Sequence, residues 1–298
     1  MKIRLAFGLS AALLLAGAVH AQQAGQDQPT GDLVPPTSAS DFTASQLDAV
    51  LAGSWRSATN KARDVYRHPK ATLQFFGLQP DQTVIEITPG AGWYSEVLAP
   101  LLRDNGHYIA AVTDNNAEAK QDVAALRAKF AADPTEYAKA GIATFNPQAP
   151  VFGPAGSADM VLTFRNVHNW AMAGTAQAMF KAFYAVLKPG GVLGVVDHRA
   201  APGATLDSVK SSGYLPTDYI IKLATDAGFK LDGQSEVNAN PKDTKDYPKG
   251  VWTLPPTLTL GDQDRAKYLA IGESDRMTLR FVKAAKASPA SSSSAAAH

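Results

Sequence analysis

From Thr83 onward, the chain alternates short apolar runs with longer segments whose apolar residues recur at helical spacing. Five of the runs predict strands, at 83–87, 108–112, 142–145, 160–164 and 191–196. Helices are predicted at 94–102, 117–131, 175–187 and 217–227. Strands joined by crossover helices run in the same direction. The alternation therefore predicts an α/β fold, with a parallel sheet covered by helices on both faces.

The last two apolar runs, at 229–237 and 277–282, lack a crossover helix between them. The residues that separate them are rich in Pro, Lys and Asp, and only 264–270 has a helical pattern. Without a crossover, one of the two runs is expected to lie antiparallel to the rest of the sheet. The predicted sheet then has seven strands, one of which is antiparallel.

The residues before the sheet predict a helical cap. Thr43 and Gln46 have the spacing of a capping box, so a helix is expected to begin at this point. Helical sequence continues past Arg63 and through 69–76. Arg63 would either fold over the site as part of the cap or belong to a solvated face. A second cap is predicted at Thr217, at the start of the helix at 217–227.

The first 21 residues have the three-part pattern of a secretory signal peptide. Lys2 and Arg4 precede an apolar run at 5–19, and small residues surround a cleavage point after Ala21. The apolar run is short for a membrane span, although an uncleaved anchor is the alternative. We therefore expect a periplasmic or secreted protein, with no membrane attachment after cleavage.

Both ends of the mature chain have low-complexity composition. Residues 22–40 are rich in Gln, Pro, Thr and Ser and predict a flexible leader, while 285–298 form a Ser/Ala tail that we expect to be disordered. The folded domain with its helical cap is expected to span 41–284.

The composition excludes several kinds of chemistry. The chain has no cysteine, which rules out disulfides, a thiolate zinc site and a cysteine nucleophile. Removing Lys2 and Arg4 with the signal peptide leaves 26 basic residues against 27 acidic ones. A nearly neutral domain lacks the electrostatic signature of a nucleic-acid binder. A small-molecule substrate is the expected partner, and the oligomeric state cannot be predicted.

A glycine-rich turn follows the first predicted strand. Gly90 and Gly92 allow the backbone to turn sharply and to approach a ligand, and Glu86 lies near the end of the strand. The alternative is a tight turn between strand and helix that binds nothing. Ser95 stands where a dinucleotide-binding motif would have its third glycine, which disfavours a nicotinamide cofactor.

Four regions together resemble a known family. They are the acid-plus-glycine segment 86–92, the strand at 158–164, the turn at 187–193 and the final strand at 277–282. In this order they resemble class I S-adenosylmethionine-dependent methyltransferases. The runs at 63–69, 89–94, 165–170 and 273–276 resemble an exported bacterial branch known as predicted methyltransferases. The resemblance implies a Rossmann-like, doubly wound, mostly parallel seven-stranded sheet with an antiparallel last strand.

The resemblance also implies S-adenosylmethionine as cofactor. Glu86, Gly90 and Gly92 would flank the amino-acid part of the cofactor, and Thr88 stands where the family usually has its first glycine. Asp114 follows the second strand, where the family uses an acidic side chain to accept hydrogen bonds from both ribose hydroxyls. The alternative role for Asp114 is that it caps its own loop.

The segment after the fourth strand supplies the predicted catalytic and substrate-binding residues. His168 would accept a proton from the methyl acceptor, since imidazole titrates near neutral pH. Asn166, Trp170 and His198 are predicted to contact the substrate. Alternatively, His168 is structural and Trp170 packs under the following helix.

Asp197 and His198 follow the fifth strand, which lies beside the fourth in this fold. His168 would then lie close to both, and two histidines with one carboxylate can bind a metal. No motif spacing supports such a site, so the prediction includes no metal.

Two functions remain open from the sequence. The first is methyl transfer from S-adenosylmethionine to a small molecule. The second is an exported, non-catalytic ligand-binding protein that retains the methyltransferase fold. The predicted signal peptide favours the second, because S-adenosylmethionine is a charged cytoplasmic metabolite.

Overall fold

The structure is a computed structural model, and it describes residues 39–285. The predicted signal peptide, most of the predicted leader and nearly all of the Ser/Ala tail lie outside the described residues. No helix within the described range is long and apolar enough to cross a membrane.

Seven strands form one sheet in the order β3-β2-β1-β4-β5-β7-β6. They are β1 Thr83–Ile87, β2 His107–Val112, β3 Gly141–Thr144, β4 Ala158–Phe164, β5 Leu187–His198, β6 Lys230–Ser235 and β7 Arg276–Val282. The first five strands pair in parallel, and β7 pairs antiparallel with both β5 and β6. The predicted mostly parallel seven-stranded sheet with an antiparallel last strand is confirmed.

Helices precede the sheet and connect its strands. They are α1 Ala39–Ala52, α2 Ala58–Lys61, α3 Asp64–Arg67, α4 Pro69–Phe76, α5 Ser95–Leu102, α6 Ala117–Ala132, α7 Pro134–Tyr137, α8 Val167–Met172, α9 Ala176–Val186, α10 Leu206–Val209, α11 Thr217–Asp226 and α12 Arg265–Ile271. Short 3-10 turns occupy Lys210–Ser212 and Gly250–Thr253. The elements α1 to α4 form the N-terminal cap.

The central strands separate two apolar layers. Alternate residues of a strand point to opposite faces, so Val84 packs in one layer and Ile85 in the other. Leu162 and Val161 of β4 divide between the layers in the same way. Because both faces are covered, β1 and β4 lie in the middle of the molecule, and their carboxyl ends meet at one edge of the sheet.

The two predicted helix caps are wrong. Helix α1 begins at Ala39, so Thr43 lies inside it, and the Thr43 hydroxyl donates to Gln79 Oε1 at 2.9 Å. The threonine joins α1 to the loop before β1 instead of closing a helix end. Thr217 is the first residue of α11, and the residue that precedes it, Pro216, forms no side-chain cap. In both cases a residue of capping type lies one or more positions inside the helix.

Two indole groups attach the cap to the glycine-rich turn and the helix that follows it. Trp55 Nε1 donates to the carbonyl of Glu96 at 2.9 Å, and Trp93 Nε1 donates to the carbonyl of Asn60 at 3.0 Å. One of these hydrogen bonds is donated by the cap and the other by the turn, and together they hold the cap over the carboxyl end of β1.

Candidate functional site

A cavity of about 300 Å³ opens where the carboxyl ends of β1 and β4 meet the cap. Strand β1 contributes Glu86, the turn after it contributes Gly90, and the segment after β4 contributes Arg165 and Asn166. Arg67, from α3 of the cap, also lines the cavity. Ligands of open α/β sheets bind outside the carboxyl ends of the strands, which is where this cavity lies.

The turn after β1 has left-handed backbone at three positions. Thr88, Gly90 and Gly92 have φ angles of +51°, +57° and +78°. A side chain at Gly90 would meet no atom within 4 Å, so the space above this residue is open. At Gly92, a Cβ atom would lie 2.9 Å from Leu126 Cδ1, so close packing also requires glycine there. Gly90 thus leaves free the space that a ligand needs, while Gly92 allows α6 to approach the turn.

Glu86 is a buried carboxylate at the base of the cavity. Tyr108 of β2 donates a hydrogen bond to its Oε2 at 2.6 Å, and Tyr108 lies 2.7 Å from the Ser95 hydroxyl. Burial raises the pKa of Glu86 to about 7, against the hydrogen bond from Tyr108 and the positive field of Arg67, which both lower it. Glu86 can therefore gain or lose a proton near neutral pH.

Asn166 connects the ends of the two central strands. Its Nδ2 donates to the carbonyl of Ile87 at 2.9 Å and lies 3.3 Å from the Thr163 hydroxyl. The amide is buried, and it holds the beginning of the glycine-rich turn against the segment after β4. Asn166 thus fixes the shape of the cavity as well as lining it.

A cluster of arginines surrounds Glu273 beside the cavity. Arg63 Nε donates to Glu273 Oε1 at 2.7 Å, and Arg276 Nη1 donates to Oε2 at 3.0 Å. Arg67 Nε lies 3.6 Å from the same Oε2. Burial alone would raise the pKa of Glu273, but Arg276, Arg67 and Arg165 lower it to about 2. Glu273 therefore stays ionised as the shared counter-ion of the cluster.

Arg67 and Arg165 have few partners among residues 39–285. The Arg67 guanidinium lies over the Trp93 ring, 4.5 Å from its centroid, and donates no side-chain hydrogen bond. Arg165 forms neither an ion pair nor a side-chain hydrogen bond with any described residue, and its backbone φ is +63°. Burial lowers the pKa of Arg165 to about 10, with Arg276 and Arg63 adding to the effect.

Asp197 organises a separate buried cluster at the end of β5. Its Oδ2 accepts from the backbone N–H groups of Val167 and His168, at 2.7 and 3.3 Å. Its Oδ1 accepts from the His198 N–H at 2.7 Å and lies 2.9 Å from His168 Nδ1. Asp197 therefore caps α8 from the neighbouring strand and orients the His168 ring.

The two histidines and Asp197 come together, with one ligand atom from each within 4.8 Å of the others. Both carboxylate oxygens of Asp197 already accept N–H groups, and His198 Nδ1 lies 2.5 Å from the Ser274 hydroxyl. Burial lowers the pKa of His198 well below its usual value, and His168 and Arg165 lower it further, so this imidazole is neutral. Within the described residues, hydrogen bonds occupy both Asp197 oxygens and the Nδ1 atoms of both histidines, whereas neither Nε2 atom has a partner.

Only some of the predicted site residues lie at the cavity. Glu86, Thr88, Gly90 and Asn166 line it, and Gly92 lies in the same turn. The remaining four residues do not line it: Asp114, His168, Trp170 and His198.

For two of these four residues, the structure shows where the side chain lies instead. Asp114 is exposed in the loop after β2, where Asn116 is the residue that caps α6, by accepting from the Ala119 N–H at 2.8 Å. Trp170 is buried and packs on Phe183 of α9, with ring centroids 5.6 Å apart.

Sequence reasoning missed the arginine cluster. Arg63 and Arg67 are four residues apart, a spacing that places two side chains on one helical face, and Arg165 directly follows β4. These positions could have been recognised from the sequence as residues at the same edge of the sheet. Glu273 and Arg276 carry a signal only as part of the run 273–276 that resembles the exported branch, and nothing local relates that run to the cap.

Comparison with known proteins identifies the fold. No protein-family model and no curated protein sequence matches the chain. Among solved structures, an S-adenosylmethionine-dependent methyltransferase from Aquifex aeolicus is similar over 80% of this chain and 98% of its own, with a TM-score of 0.51 and 15% identity. The cyclase SpnF is similar over 82% of this chain and 94% of its own, with a TM-score of 0.55 and 16% identity. The chain therefore has the Rossmann-like fold of S-adenosylmethionine-dependent methyltransferases, a fold that a cyclase also has.

Proposed function

We propose that the protein transfers a methyl group from S-adenosylmethionine to a small-molecule acceptor. The observation that carries this proposal is the glycine-rich turn after β1, where the backbone leaves open space above Gly90. The turn lies at the edge of the sheet where this fold binds its ligands. The similar methyltransferase from Aquifex aeolicus supports the same reading, although fold alone does not define activity.

The residues at this edge of the sheet fit the proposed cofactor. Glu86, Thr88, Gly90 and Gly92 would hold its amino-acid part, because the turn combines a carboxylate with backbone that a ligand can approach. Asp114 would hold the ribose. Its carboxylate is exposed and forms no hydrogen bond or ion pair with any residue of the described range, so both oxygens are free to accept hydroxyl groups.

When bound, the cofactor supplies an electrophilic methyl group. The chain then has to position the acceptor, exclude water and take the proton that a hydroxyl or amine acceptor gives up. The cap would contribute to excluding water, because the hydrogen bond from Trp93 Nε1 to the Asn60 carbonyl holds it against the turn. His168 is the proposed base, because Asp197 accepts a hydrogen bond from its Nδ1 and this leaves Nε2 free to take a proton. Since His168 does not line the cavity, this role requires an acceptor that extends beyond the cavity to the ring.

Calorimetry with S-adenosylhomocysteine tests the cofactor. The wild-type protein is expected to bind it, and Gly90→Ala is expected to bind it about tenfold more weakly, because the new methyl group enters the cavity and disfavours the positive φ. His168→Gln should retain the affinity, since His168 does not line the cavity.

Gly156→Ala is the matched control. Gly156 has a φ of +68°, and a side chain there would likewise meet no atom within 4 Å, but the residue lies in the turn before β4. Both variants should lose about 1 kcal/mol of stability, while only Gly90→Ala should lose affinity. If the folded wild-type protein does not bind S-adenosylhomocysteine, the proposal fails.

The second candidate is an exported ligand-binding protein that keeps this fold without catalysing methyl transfer. The observation that favours it is the signal-peptide pattern of residues 1–21. The similarity to the cyclase SpnF adds only that this fold is not limited to methyl transfer. Absence of S-adenosylhomocysteine binding would leave the second candidate, because only the first requires that affinity. If the ligand binds, turnover of S-adenosylmethionine separates the two candidates.

A further inference from the structure

The charged groups around the cavity do not balance. Four guanidinium groups influence one another there, those of Arg63, Arg67, Arg165 and Arg276. Glu273 is the carboxylate that pairs with them directly, through contacts with three of the four. Two other carboxylates face the group. Glu86, with a pKa of about 7, is only partly ionised at neutral pH, and Asp197 accepts backbone N–H groups. An excess of positive charge therefore remains beside the cavity.

Several arginine nitrogens in this group are buried without an acceptor. Arg67 is 4% exposed, and neither its Nε nor its Nη2 has a hydrogen-bond partner in the described part of the chain. The Nη2 atom of Arg63 is also buried and lacks a hydrogen-bond partner in that part of the chain. A buried donor that lacks a partner destabilises the folded protein, and a charged donor does so more strongly. Such donors are normally satisfied by something, and here they belong to side chains that line a cavity.

Two other arginines of the described residues have carboxylate partners at hydrogen-bond distance, although the Nε of Arg56 also lacks an acceptor. Buried Arg56 makes a two-pronged ion pair with Asp64, at 2.7 and 2.8 Å. Arg199 lines a second cavity, of about 450 Å³, and pairs with both Asp275 and Glu236. The second cavity thus carries its own counter-ions. At the cavity beside the glycine-rich turn, by contrast, Arg165 has no ion pair with a described residue, and Arg67 approaches Glu273 only to 3.6 Å without a hydrogen bond.

We propose that Arg67 and Arg165 bind an oxyanion, a carboxylate or a phosphate, carried by the methyl acceptor. Guanidinium groups suit these anions because their paired N–H donors match two oxygens at once. The assignment to the acceptor rests on the proposed function. It follows from charge, since S-adenosylmethionine carries a sulfonium and an ammonium against one carboxylate. An acidic acceptor would offset the positive charge that the cofactor adds to a cavity already rich in arginine.

The test uses inorganic phosphate as the probe and Arg165→Gln as the variant. Arg165 has no partner among the described residues, so its replacement removes a charge without breaking a contact. Phosphate is titrated by calorimetry into the full mature chain, alone and saturated with S-adenosylhomocysteine. Arg127→Gln is the control, because Arg127 is exposed on α6 and its replacement changes the net charge equally. We expect Arg165→Gln to weaken phosphate binding by about tenfold or more, and Arg127→Gln to leave it unchanged.

A second ligand separates the acceptor from the cofactor as the source of the anion. S-adenosyl-3-thiopropylamine lacks only the carboxylate of S-adenosylhomocysteine. Phosphate that binds equally well in the presence of either compound supports an acceptor site. If S-adenosylhomocysteine displaces phosphate and the decarboxylated compound does not, the arginines bind the cofactor's carboxylate and the proposal is overturned.

The remaining outcomes are also decisive. Failure of phosphate to bind the folded wild-type protein, or equal binding by Arg165→Gln, overturns the oxyanion site. If phosphate binds through Arg165 while S-adenosylhomocysteine does not bind at all, the oxyanion site stands and the methyltransferase proposal fails.

Discussion

Backbone strain at the candidate site is concentrated in two residues that are not glycine. Thr88 and Arg165 follow the adjacent strands β1 and β4, and both have left-handed backbone, with φ angles of +51° and +63°. Such a conformation costs of order 1–3 kcal/mol and persists only where the surroundings enforce it. Asn166 supplies part of that enforcement by donating to the carbonyl of Ile87. Both strained residues line the same cavity, and backbone strain of this kind is common at ligand-binding sites.

Glu86 should make the stability of the protein depend on pH. Its pKa is about 7 in the folded protein, against 4.5 for an ordinary glutamate. Between these values the folded state holds a proton that the unfolded state has lost, so stability falls as the pH rises from about 4.5 to about 7. We expect wild type to lose up to about 3 kcal/mol more than Glu86→Gln between pH 5 and pH 8. Urea unfolding at the two pH values measures the difference.

Glu118→Gln is the control for this prediction. Glu118 is exposed at the start of α6, so its replacement removes one carboxylate without touching the cavity. This variant should follow the wild-type pH dependence. Parallel curves for wild type and Glu86→Gln would show that Glu86 has an ordinary pKa in the folded protein.

At the scale of elements, the contact of α4 with the sheet depends on a glycine in β5. A Cβ atom at Gly194 would lie 2.7 Å from Leu162 Cδ2 and 2.8 Å from Phe76 Cδ2. Both neighbours are fully buried, so neither can move away easily. We expect Gly194→Ala to destabilise the protein by about 1–3 kcal/mol, measured by chemical denaturation.

Gly141→Ala is the matched substitution in another strand. In β3, a Cβ atom at Gly141 would make ordinary contacts, of which the shortest is 3.6 Å. This variant should be neutral, or more stable by up to about 1 kcal/mol, because alanine loses less entropy on folding. Equal losses in the two variants would mean that strand geometry, and not the packing of α4, sets the cost.

A side-chain hydrogen bond at the end of a strand also joins neighbouring elements. Asp197 at the end of β5 caps α8, which follows the neighbouring strand β4. One carboxylate therefore links the ends of two strands and fixes the orientation of His168. This link explains how a histidine on a short helix can hold a defined position without lining the cavity.

At the scale of the whole molecule, the predicted signal peptide makes a simple prediction. We expect the full-length chain, expressed in bacteria with an intact secretion system, to be recovered from the periplasm or medium with Gln22 as its first residue. N-terminal sequencing or intact mass measures the cleavage. Recovery from the cytoplasm with Met1 intact would contradict both the export prediction and the argument that favours a non-catalytic protein.

The fold was predictable because its signals are local. Each strand and crossover helix is marked by the spacing of apolar residues within a short window, as for Thr83–Ile87 and the residues that follow it. The absence of a crossover helix before β7 predicted that one of the last two strands is antiparallel, and the family resemblance indicated that it is the last one. The helix starts were less predictable, because Thr43 resembles a cap residue and instead bonds Gln79, 36 positions away.

For the candidate site, the sequence by itself determined the glycine-rich turn, its acidic residue and the polar segment after β4. Only the tertiary structure decided that these residues share a cavity with an arginine cluster. Arg63 and Glu273 are 210 positions apart, and their ion pair exists because the cap and β7 meet beside β4. Periodicity is a property of neighbouring residues, whereas the balance of charge in a cavity depends on every element that surrounds it. The charge excess at Arg67 and Arg165 therefore appears only in the folded chain.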